Sequence, residues 1–245
     1  MMKHLNEIFE RNVFKDGPDF SVQAPGPMTV IDNFLPRDVA VDMFNEINSV
    51  DTSLWKQFTR NGSNMYELNK MELTPVAFNV MNYLHSSHAL KYLSELTGIP
   101  GLIADPHLVG AGYSKAYPGD TLKVHTDFNW NDTLKVHRAL SLIIYLTPDW
   151  NPEWHGGLDF YDHKRENVIQ HFDCLFNRCL IWEYHKFGWH GHVNPLACPA
   201  DKPRTTFRLF YYTSNSTYNE SDMPHRSQYW VDENTGLPMD RRDQK

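Results

Sequence analysis

The segment Lys123-Val-His-Thr-Asp-Phe128 contains two side chains that can bind a metal ion. Successive side chains of an extended strand alternate between its faces, so His125 and Asp127 are expected to point the same way. One imidazole and one carboxylate supply two ligands of a 2-His-1-carboxylate facial triad, which holds Fe(II) and leaves coordination positions open. The best candidate for the third ligand is His190, in the segment Phe187-Gly-Trp-His-Gly-His192.

A His-x-Asp pattern has little specificity by itself, because a chain with 13 histidines and 30 acidic residues produces it by chance. The pair is also compatible with a surface ion pair or a solvated turn. For the third ligand, His192 competes with His190, since it follows two residues later on the same strand face. Its alternative roles are a hydrogen bond to a ligand residue or exposure to solvent. We interpret three other histidines as ordinary surface or partly buried residues: His155, His171 and His185.

The size and composition predict a folded globular protein. The 245 residues suffice for one large domain or two small ones, and 41% of them are hydrophobic and 13% aromatic. No apolar run approaches the roughly 18–20 residues that a membrane span requires. The formal net charge of -7 argues against sequence-independent nucleic-acid binding, which depends on phosphate neutralisation. We therefore expect a small-molecule or peptidyl partner and no membrane, and the charge disfavours nucleic acid as a partner, although a local basic groove is compatible with it.

The N-terminus and the cysteines indicate a reducing compartment. The first residues, Met-Met-Lys-His-Leu-Asn-Glu, lack the apolar core of a signal peptide, so export is not expected. Cys174, Cys179 and Cys198 form no Cys-x-x-Cys motif, and we interpret them as buried or free thiols. The expected location is the cytoplasm.

Hydrophobic spacing predicts a largely helical N-terminal part followed by a core of short strands. The N-terminal elements are helices at residues 3–14, after Pro36 and over 74–97 ending at Gly98, a strand at Thr29–Ile31, and a hairpin at Asn61-Gly62. The core segments of β type are 107–117, 121–128, 137–147, 157–161, 168–172, 177–183, 188–194 and 204–213. This order predicts a mainly β member of the α+β class, a jelly roll (double-stranded β-helix) with an N-terminal helical layer.

We expect the whole chain, residues 1–245, to form one domain. Residues 1–105 would be the support layer and residues 106–214 the jelly-roll core. The polar C-terminal arm, residues 215–245, is compatible with either an ordered or a flexible segment.

Three groups of motifs follow one another in the core. The first is Ala116-Tyr-Pro-Gly119 with Val124-His-Thr-Asp127, and the second is Ile144-Tyr-Leu-Thr-Pro-Asp-Trp150 with Gly156-Gly-Leu158. The third is Asn177-Arg-Cys-Leu-Ile-Trp182 with Trp189-His-Gly-His192 and Arg204-Thr-Thr-Phe-Arg-Leu-Phe-Tyr-Tyr212. Together they resemble the Fe(II)- and 2-oxoglutarate-dependent dioxygenases, in particular the prolyl hydroxylase branch, although the turn within the first group is shorter here. The resemblance covers about residues 107–213.

This resemblance implies that the three candidate ligands hold Fe(II) and that 2-oxoglutarate is the co-substrate. Arg204 would pair with the distal carboxylate of 2-oxoglutarate, for which a planar guanidinium is well suited. Tyr145, and less securely Tyr117, would donate hydroxyl hydrogen bonds to the same molecule. O2 would be the second co-substrate, with ascorbate as an optional reductant.

Two further residues are candidates for contact with the substrate. Arg208 shares a strand face with Arg204, so it is either an anchor for an anionic group of the substrate or a salt-bridged arginine near the cavity mouth. Trp130, in the loop after the metal motif, is either a lid over the substrate or an exposed packing residue.

The implied reaction is hydroxylation of a substrate C–H bond, coupled to decarboxylation of 2-oxoglutarate to succinate and CO2. Asp127 favours hydroxylation, because related halogenases carry a small residue in place of this carboxylate. A prolyl or peptidyl substrate is expected by analogy with the family. The alternatives are a free amino acid or another small metabolite, a non-catalytic jelly-roll or cupin-like metal protein, and a nucleic-acid demethylase, which the acidic charge disfavours.

Overall fold

A computed structural model describes residues 21–23, 26–60, 62–214 and 223–229. The helix predicted at residues 3–14 lies outside them, as do Asn61 and most of the C-terminal arm. The helices are α1 (Arg37–Ser49), α2 (Pro75–Leu84) and α3 (Ser87–Thr97), with short 3-10 helices at Thr52–Leu54, Met71–Leu73 and Pro152–Trp154. The strands are β1 (Ser21–Gln23), β2 (Gly26–Ile31), β3 (Lys56–Arg60), β4 (Ser63–Leu68), β5 (Ile103–Ala104), β6 (Gly112–Ala116), β7 (Leu122–Thr126), β8 (Trp130–Asn131), β9 (Val136–Tyr145), β10 (Leu158–Tyr161), β11 (Val168–Phe172), β12 (Cys179–Glu183), β13 (His190–His192), β14 (Arg204–Thr213) and β15 (Gln228–Tyr229).

Helix α1 begins directly after Pro36, as predicted, because the fixed φ and missing N–H of proline are tolerated at a helix start. Its buried residues recur at the spacing of one helix face: Val39, Ala40, Met43 and Ile47. The Glu46 carboxylate of α1 accepts hydrogen bonds from the backbone N–H groups of Val76 (2.9 Å) and Ala77 (3.1 Å). A side chain of α1 thus satisfies two donors that the first turn of α2 leaves free.

The single helix predicted over residues 74–97 is in fact two helices. The chain leaves the helical conformation between α2 and α3, and Ser86 Oγ accepts a hydrogen bond from the Ala89 N–H at 3.3 Å. This serine caps the N-terminus of α3, which favours a new helix over continuation of the old one. Gly98 ends α3 as predicted, in the left-handed conformation with φ of 72°.

Two antiparallel sheets form the jelly roll. The larger sheet has ten strands in the order β1-β2-β12-β9-β14-β6-β4-β3, with β5 paired to β14 and β8 paired to β9. The smaller sheet has five strands in the order β11-β10-β13-β7-β15. The outer face of the larger sheet packs on α1–α3, and its inner face packs on the smaller sheet. The predicted fold class, a jelly roll with an N-terminal helical layer, is confirmed.

All eight predicted core strands are present, and the bounds of β11 and β14 match the prediction. The hairpin predicted at Asn61-Gly62 is formed by β3 and β4, with Gly62 at φ of 74°. The short strands β1, β5, β8 and β15 were not predicted. Strand β15 lies in the C-terminal arm and pairs with β7, so this part of the arm is ordered. Among the described residues, no helix has the length and apolar character needed to cross a membrane.

Candidate metal centre

His125, Asp127 and His190 lie together on the smaller sheet. Strands β7 and β13 are neighbours, and His125 pairs directly with His190 in their register. One ligand atom from each of the three residues lies within 4.8 Å of the others. Asp127 follows β7 and faces both rings, with Oδ1 3.7 Å from His125 Nε2 and Oδ2 3.8 Å from His190 Nε2. Two imidazoles and one carboxylate converging in this way can bind a divalent metal ion.

Backbone carbonyls orient both imidazoles toward the centre of this group. The Nδ1 atom of His125 is 2.8 Å from the Lys123 carbonyl oxygen, and the Nδ1 atom of His190 is 2.8 Å from the Gly188 carbonyl oxygen. Each carbonyl accepts a hydrogen bond from Nδ1–H, so the tautomer is fixed and the lone pair is on Nε2. Nε2 is the atom that faces Asp127 in both rings, as a metal ligand requires.

A β-bulge separates His190 from His192. In the β7–β13 register His190 pairs with His125, whereas His192 pairs with Leu122, so β7 carries one extra residue. Both histidines therefore line the cavity between the sheets, and His192 is buried outside the three-ligand group. Burial, together with Arg204 and His125, holds the pKa of His192 well below its usual range. His192 is thus a neutral residue of the cavity wall, and exposure to solvent is excluded as its role.

Arg138 on β9 forms an ion pair with the ligand candidate Asp127. Its Nη2 donates to Asp127 Oδ2 at 2.9 Å and to Ser141 Oγ at 2.7 Å. Burial raises the pKa of Asp127, but the Arg138 charge outweighs it, with help from His190, His125 and Arg208, and lowers this pKa to about 2. Burial and the neighbouring His190 lower the pKa of His125 to about 3. Asp127 and His125 are therefore in metal-binding protonation states at neutral pH.

Arg138 was not predicted as a site residue, because a bulge changes the register of β9. In a regular strand, residues 138 and 141 would point to opposite faces. A bulge at Ala139 puts Arg138 opposite Tyr212 and Ser141 opposite Phe210, so both face the cavity. The guanidinium is fully buried, with Cζ 3.5 Å from the Phe210 ring centroid. Aromatic stacking of this kind favours a buried arginine.

The ordered part of the C-terminal arm packs against the first ligand strand. Tyr229 pairs with His125 across β15 and β7, and their rings stack with centroids 5.0 Å apart and planes 19° apart. Asn129, just after Asp127, receives a hydrogen bond from the His225 N–H at 2.7 Å. The arm therefore supports the outer side of His125, a contact that a polar tail sequence does not indicate.

Arg204 begins β14 on the larger sheet and lines the same cavity as the three possible metal ligands. Its Nε donates to the Gly156 carbonyl at 2.6 Å, and its Cζ lies 5.1 Å from the centroid of the Tyr145 ring. Within the described residues, Tyr145 Oη is buried and has no hydrogen-bond partner, and burial raises its pKa. A buried guanidinium beside a buried, unsatisfied hydroxyl suits a carboxylate ligand.

The other predicted site residues are distributed differently. Arg208 lines the cavity and also pairs with Glu67, with Nη2 2.7 Å from Oε1. Tyr117, Trp130 and Tyr145 are not among the residues that line it, although Tyr145 lies next to Arg204. Tyr117 packs edge-on against Tyr66, with ring centroids 5.5 Å apart. The lid interpretation of Trp130 therefore gains no support, because its ring packs on His137 in the β8–β9 pair and its Nε1 donates to Asp132.

The residues present fit Fe(II) and 2-oxoglutarate. The donor set and the fixed Nε2 lone pairs suit Fe(II), which binds imidazole and carboxylate. The unsatisfied Tyr145 hydroxyl and the Arg204 guanidinium suit the far carboxylate of a dicarboxylic co-substrate.

Comparison with protein families and solved structures agrees with this geometry. Residues 111–212 match the family model of the 2OG-Fe(II) oxygenase superfamily. No curated protein sequence matches the chain.

The fold is similar to that of several solved structures. One is a prolyl hydroxylase from Trichoplax adhaerens in complex with a hypoxia inducible factor peptide fragment, with 15% identity, 91% of this chain and 96% of that chain covered, and a TM-score of 0.60. Another is a prolyl-4-hydroxylase from Pseudomonas putida, with 13% identity, 85% and 98% covered, and a TM-score of 0.53. A third is HygX from Streptomyces hygroscopicus with nickel and 2-oxoglutarate bound, with 12% identity, 77% and 84% covered, and a TM-score of 0.52. At sequence identities this low, the similarity shows a shared fold and nothing more.

Replacing Arg138 is expected to weaken metal binding. In Arg138→Met the Asp127 carboxylate loses its buried counter-charge and its fixed orientation, so the metal dissociation constant should rise by about 10- to 100-fold. Titration of the metal-free protein with Mn(II) measures this. Ser141→Ala is the matched control, because it removes the other partner of the same Nη2 atom, and it should bind Mn(II) within about threefold of wild type. Wild-type affinity in a folded Arg138→Met variant would contradict the role of Arg138.

Gly156→Ala is expected to weaken 2-oxoglutarate binding without affecting the metal. An added Cβ would lie 2.7 Å from Leu196 Cδ2 and 3.0 Å from Arg204 Cδ, so Leu196 must move and Arg204 must give by a few tenths of an ångström. We expect about a tenfold weaker affinity for 2-oxoglutarate. Gly119→Ala is the control, because Gly119 has a similar φ of +87° but no atom within 4 Å of its Cβ position. Both variants should lose about 1–2 kcal/mol of stability from the left-handed backbone, and equal 2-oxoglutarate affinities would show that displacement of Arg204 is unimportant.

Removing the Tyr229 ring is expected to make the His125 imidazole less firmly oriented and so to weaken metal binding. Aromatic pairs contribute about 0.5–1.5 kcal/mol, so Tyr229→Ala should bind Mn(II) roughly two- to tenfold more weakly. Tyr229→Phe keeps the ring and should stay within about twofold of wild type. If the Ala and Phe variants bind Mn(II) equally well, the stacking does not support the site.

Proposed function

We propose that this protein, whose residues 111–212 match the family model of the 2OG-Fe(II) oxygenase superfamily, is a dioxygenase that uses Fe(II) and 2-oxoglutarate and hydroxylates a prolyl or peptidyl substrate. One observation carries the proposal. Three side chains able to bind a metal lie within 4.8 Å of one another and share a cavity with Arg204.

In this proposal each residue has a defined task. His125, Asp127 and His190 hold the metal through two Nε2 atoms and a carboxylate oxygen. Arg204 binds the distal carboxylate of 2-oxoglutarate, and Tyr145 donates its hydroxyl hydrogen to the same ligand. When bound, Fe(II), 2-oxoglutarate and O2 supply the oxidation of a substrate C–H bond, with succinate and CO2 as co-products.

The cavity walls exclude water around these groups. Between the polar residues the lining is apolar, formed by Leu122, Ile143, Leu158 and Trp182. Low polarity strengthens the attraction between Arg204 and a carboxylate, because few water molecules compete for either charge. The protein's contribution is thus to hold and orient the reactants, while the metal and co-substrate carry the oxidation.

The prolyl or peptidyl substrate is supported by fold likeness. The Trichoplax enzyme is a prolyl hydroxylase with a bound peptide fragment, and the Pseudomonas enzyme is a prolyl-4-hydroxylase. HygX, which shares the fold, binds hygromycin B in one of its structures, so this architecture also accepts a small molecule. A small-molecule substrate is therefore the second candidate.

We also propose that the enzyme works in a reducing compartment such as the cytoplasm. Support comes from Cys174, Cys179 and Cys198, which are all free and buried. Burial raises the pKa of the Cys179 thiol well above its usual range, so this cysteine is chemically inert.

The test is succinate formation by purified protein given Fe(II), 2-oxoglutarate, ascorbate and a set of prolyl peptides, with mass spectrometry to detect an added oxygen. Wild type should form succinate, and Asp127→Ala and His190→Ala should lose at least about 99% of this activity because the metal is no longer held. His171→Ala, a partly exposed histidine outside the cavity, is the control and should remain active. Absence of succinate in all wild-type assays would favour a cupin-like metal protein and overturn the hydroxylase proposal.

A further inference from the structure

We propose that Arg208 binds a carboxylate of the substrate, so that the enzyme selects a free amino acid or a substrate that presents a terminal carboxylate near the metal. This inference rests on the proposed hydroxylase function and specifies its substrate class. It is carried by the position of Arg208, its unused hydrogen-bond donors and the charge balance of the cavity.

Arg208 faces the cavity at a distance from the 2-oxoglutarate anchor. Alternate residues of β14 line the cavity: Arg204, Thr206, Arg208 and Phe210. Four residues along a strand separate the Cα atoms of the two arginines by about 13 Å. One guanidinium can therefore bind 2-oxoglutarate while the other remains open to a second ligand. The charge of Arg208 also reaches Asp127, since it helps to lower the Asp127 pKa.

The guanidinium of Arg208 has more donors than the protein satisfies. Its Nη2 donates to Glu67 Oε1 at 2.7 Å, but Nη1 faces the Met65 sulfur at 3.9 Å, which is a weak acceptor. Its Nε is buried and has no acceptor anywhere in the described parts of the chain. Arg138 also leaves Nε and Nη1 unpaired, but the Phe128 and Phe210 rings lie 4.5 and 3.5 Å from its Cζ and the side chain is fully buried. Arg208 combines an unpaired donor with an 18% exposed side chain, and this combination indicates a ligand. A carboxylate from the substrate would satisfy these donors in the geometry that a guanidinium prefers.

The charges around the cavity also favour an anionic substrate. Arg138 is balanced by Asp127, and Arg208 by Glu67. A bound Fe(II) ion balances the two charges of 2-oxoglutarate. Counted together, the three arginines and Fe(II) on one side, and Asp127, Glu67 and 2-oxoglutarate on the other, leave one net positive charge. A neutral peptide segment would leave this excess in place, whereas the terminal carboxylate of a peptide would neutralise it. The carboxylate of a free amino acid would pair with Arg208 without changing the net charge, because the molecule also carries an ammonium group.

Glu67 gives Arg208 a fixed orientation. Glu67 is on β4 and Arg208 is on β14 of the larger sheet. Strand β6 lies between these two strands and pairs with both. The side chains of Glu67 and Arg208 are 26% and 18% exposed, so the pair is neither a solvated surface bridge nor sealed in the core. Arg208 is thus held in place and still reachable from the cavity, as a specificity-determining residue must be.

The experiment compares free amino acids with their amides. A panel of L-amino acids that includes L-proline, of short peptides that end in proline with a free terminal carboxylate, and of the matching amides is titrated by calorimetry into protein loaded with Mn(II) and 2-oxoglutarate. In wild type, at least one acid should bind at least about tenfold more tightly than its amide. In Arg208→Gln that preference should fall by about 10- to 100-fold through weaker binding of the acid, while binding of the amide stays unchanged.

Arg204→Gln is the contrasting variant, because it should weaken binding of 2-oxoglutarate itself, whereas Arg208→Gln should leave that affinity within about twofold of wild type. If no acid in the panel binds more tightly than its amide, or if Arg208→Gln keeps the full preference, the carboxylate site is disproved. The calorimetric measurement of binding does not require the enzyme to convert its substrate. Failure of the hydroxylase proposal would instead appear as absence of succinate from wild type.

Discussion

The ion pair between Arg138 and Asp127 is the interaction on which the site depends. It joins the larger sheet to the smaller one inside the cavity, where an unpaired carboxylate would be protonated or costly to bury. With the guanidinium 2.9 Å away, Asp127 stays ionised with a pKa of about 2 despite its burial. The negative charge that a metal ligand needs at this position is therefore maintained by the protein itself, before any metal binds.

The two sheets contribute opposite kinds of groups to the cavity. The three possible metal ligands all come from β7, β13 and the residue after β7, on the smaller sheet. The three arginines all come from β9 and β14, the central strands of the larger sheet. The outer faces of these central strands pack on the helices, which holds the cationic side rigid. Anions that enter the cavity are thus met by guanidinium groups from one sheet and by a metal ion on the other.

Alternation predicted most of the strands and the shared face of His125 and Asp127, because it depends on regular strand geometry, and the resemblance to the dioxygenase family supplied His190 as the third ligand. The features that the sequence patterns did not predict depend on irregular backbone geometry. The bulge at Ala139 reverses the face of Arg138, and no residue type in β9 marks it. Tyr229 reaches His125 through a two-residue strand in a polar tail, and strands this short have no periodicity to detect. The α2–α3 break was missed because apolar spacing continues across it, although Ser86 is a recognisable cap.

Two arginines that line one cavity, Arg138 and Arg208, each pair with a carboxylate, and their burial separates their roles. Arg138 is fully buried, its guanidinium lies against the Phe210 ring, and its partner Asp127 belongs to the ligand group. A guanidinium enclosed in this way is placed to orient its neighbour Asp127. Arg208 is partly exposed, its partner Glu67 lies outside the ligand group, and its Nη1 meets only a weak sulfur acceptor. The Arg138–Asp127 pair therefore orients a candidate metal ligand, whereas the Arg208–Glu67 pair leaves Arg208 available to bind a substrate.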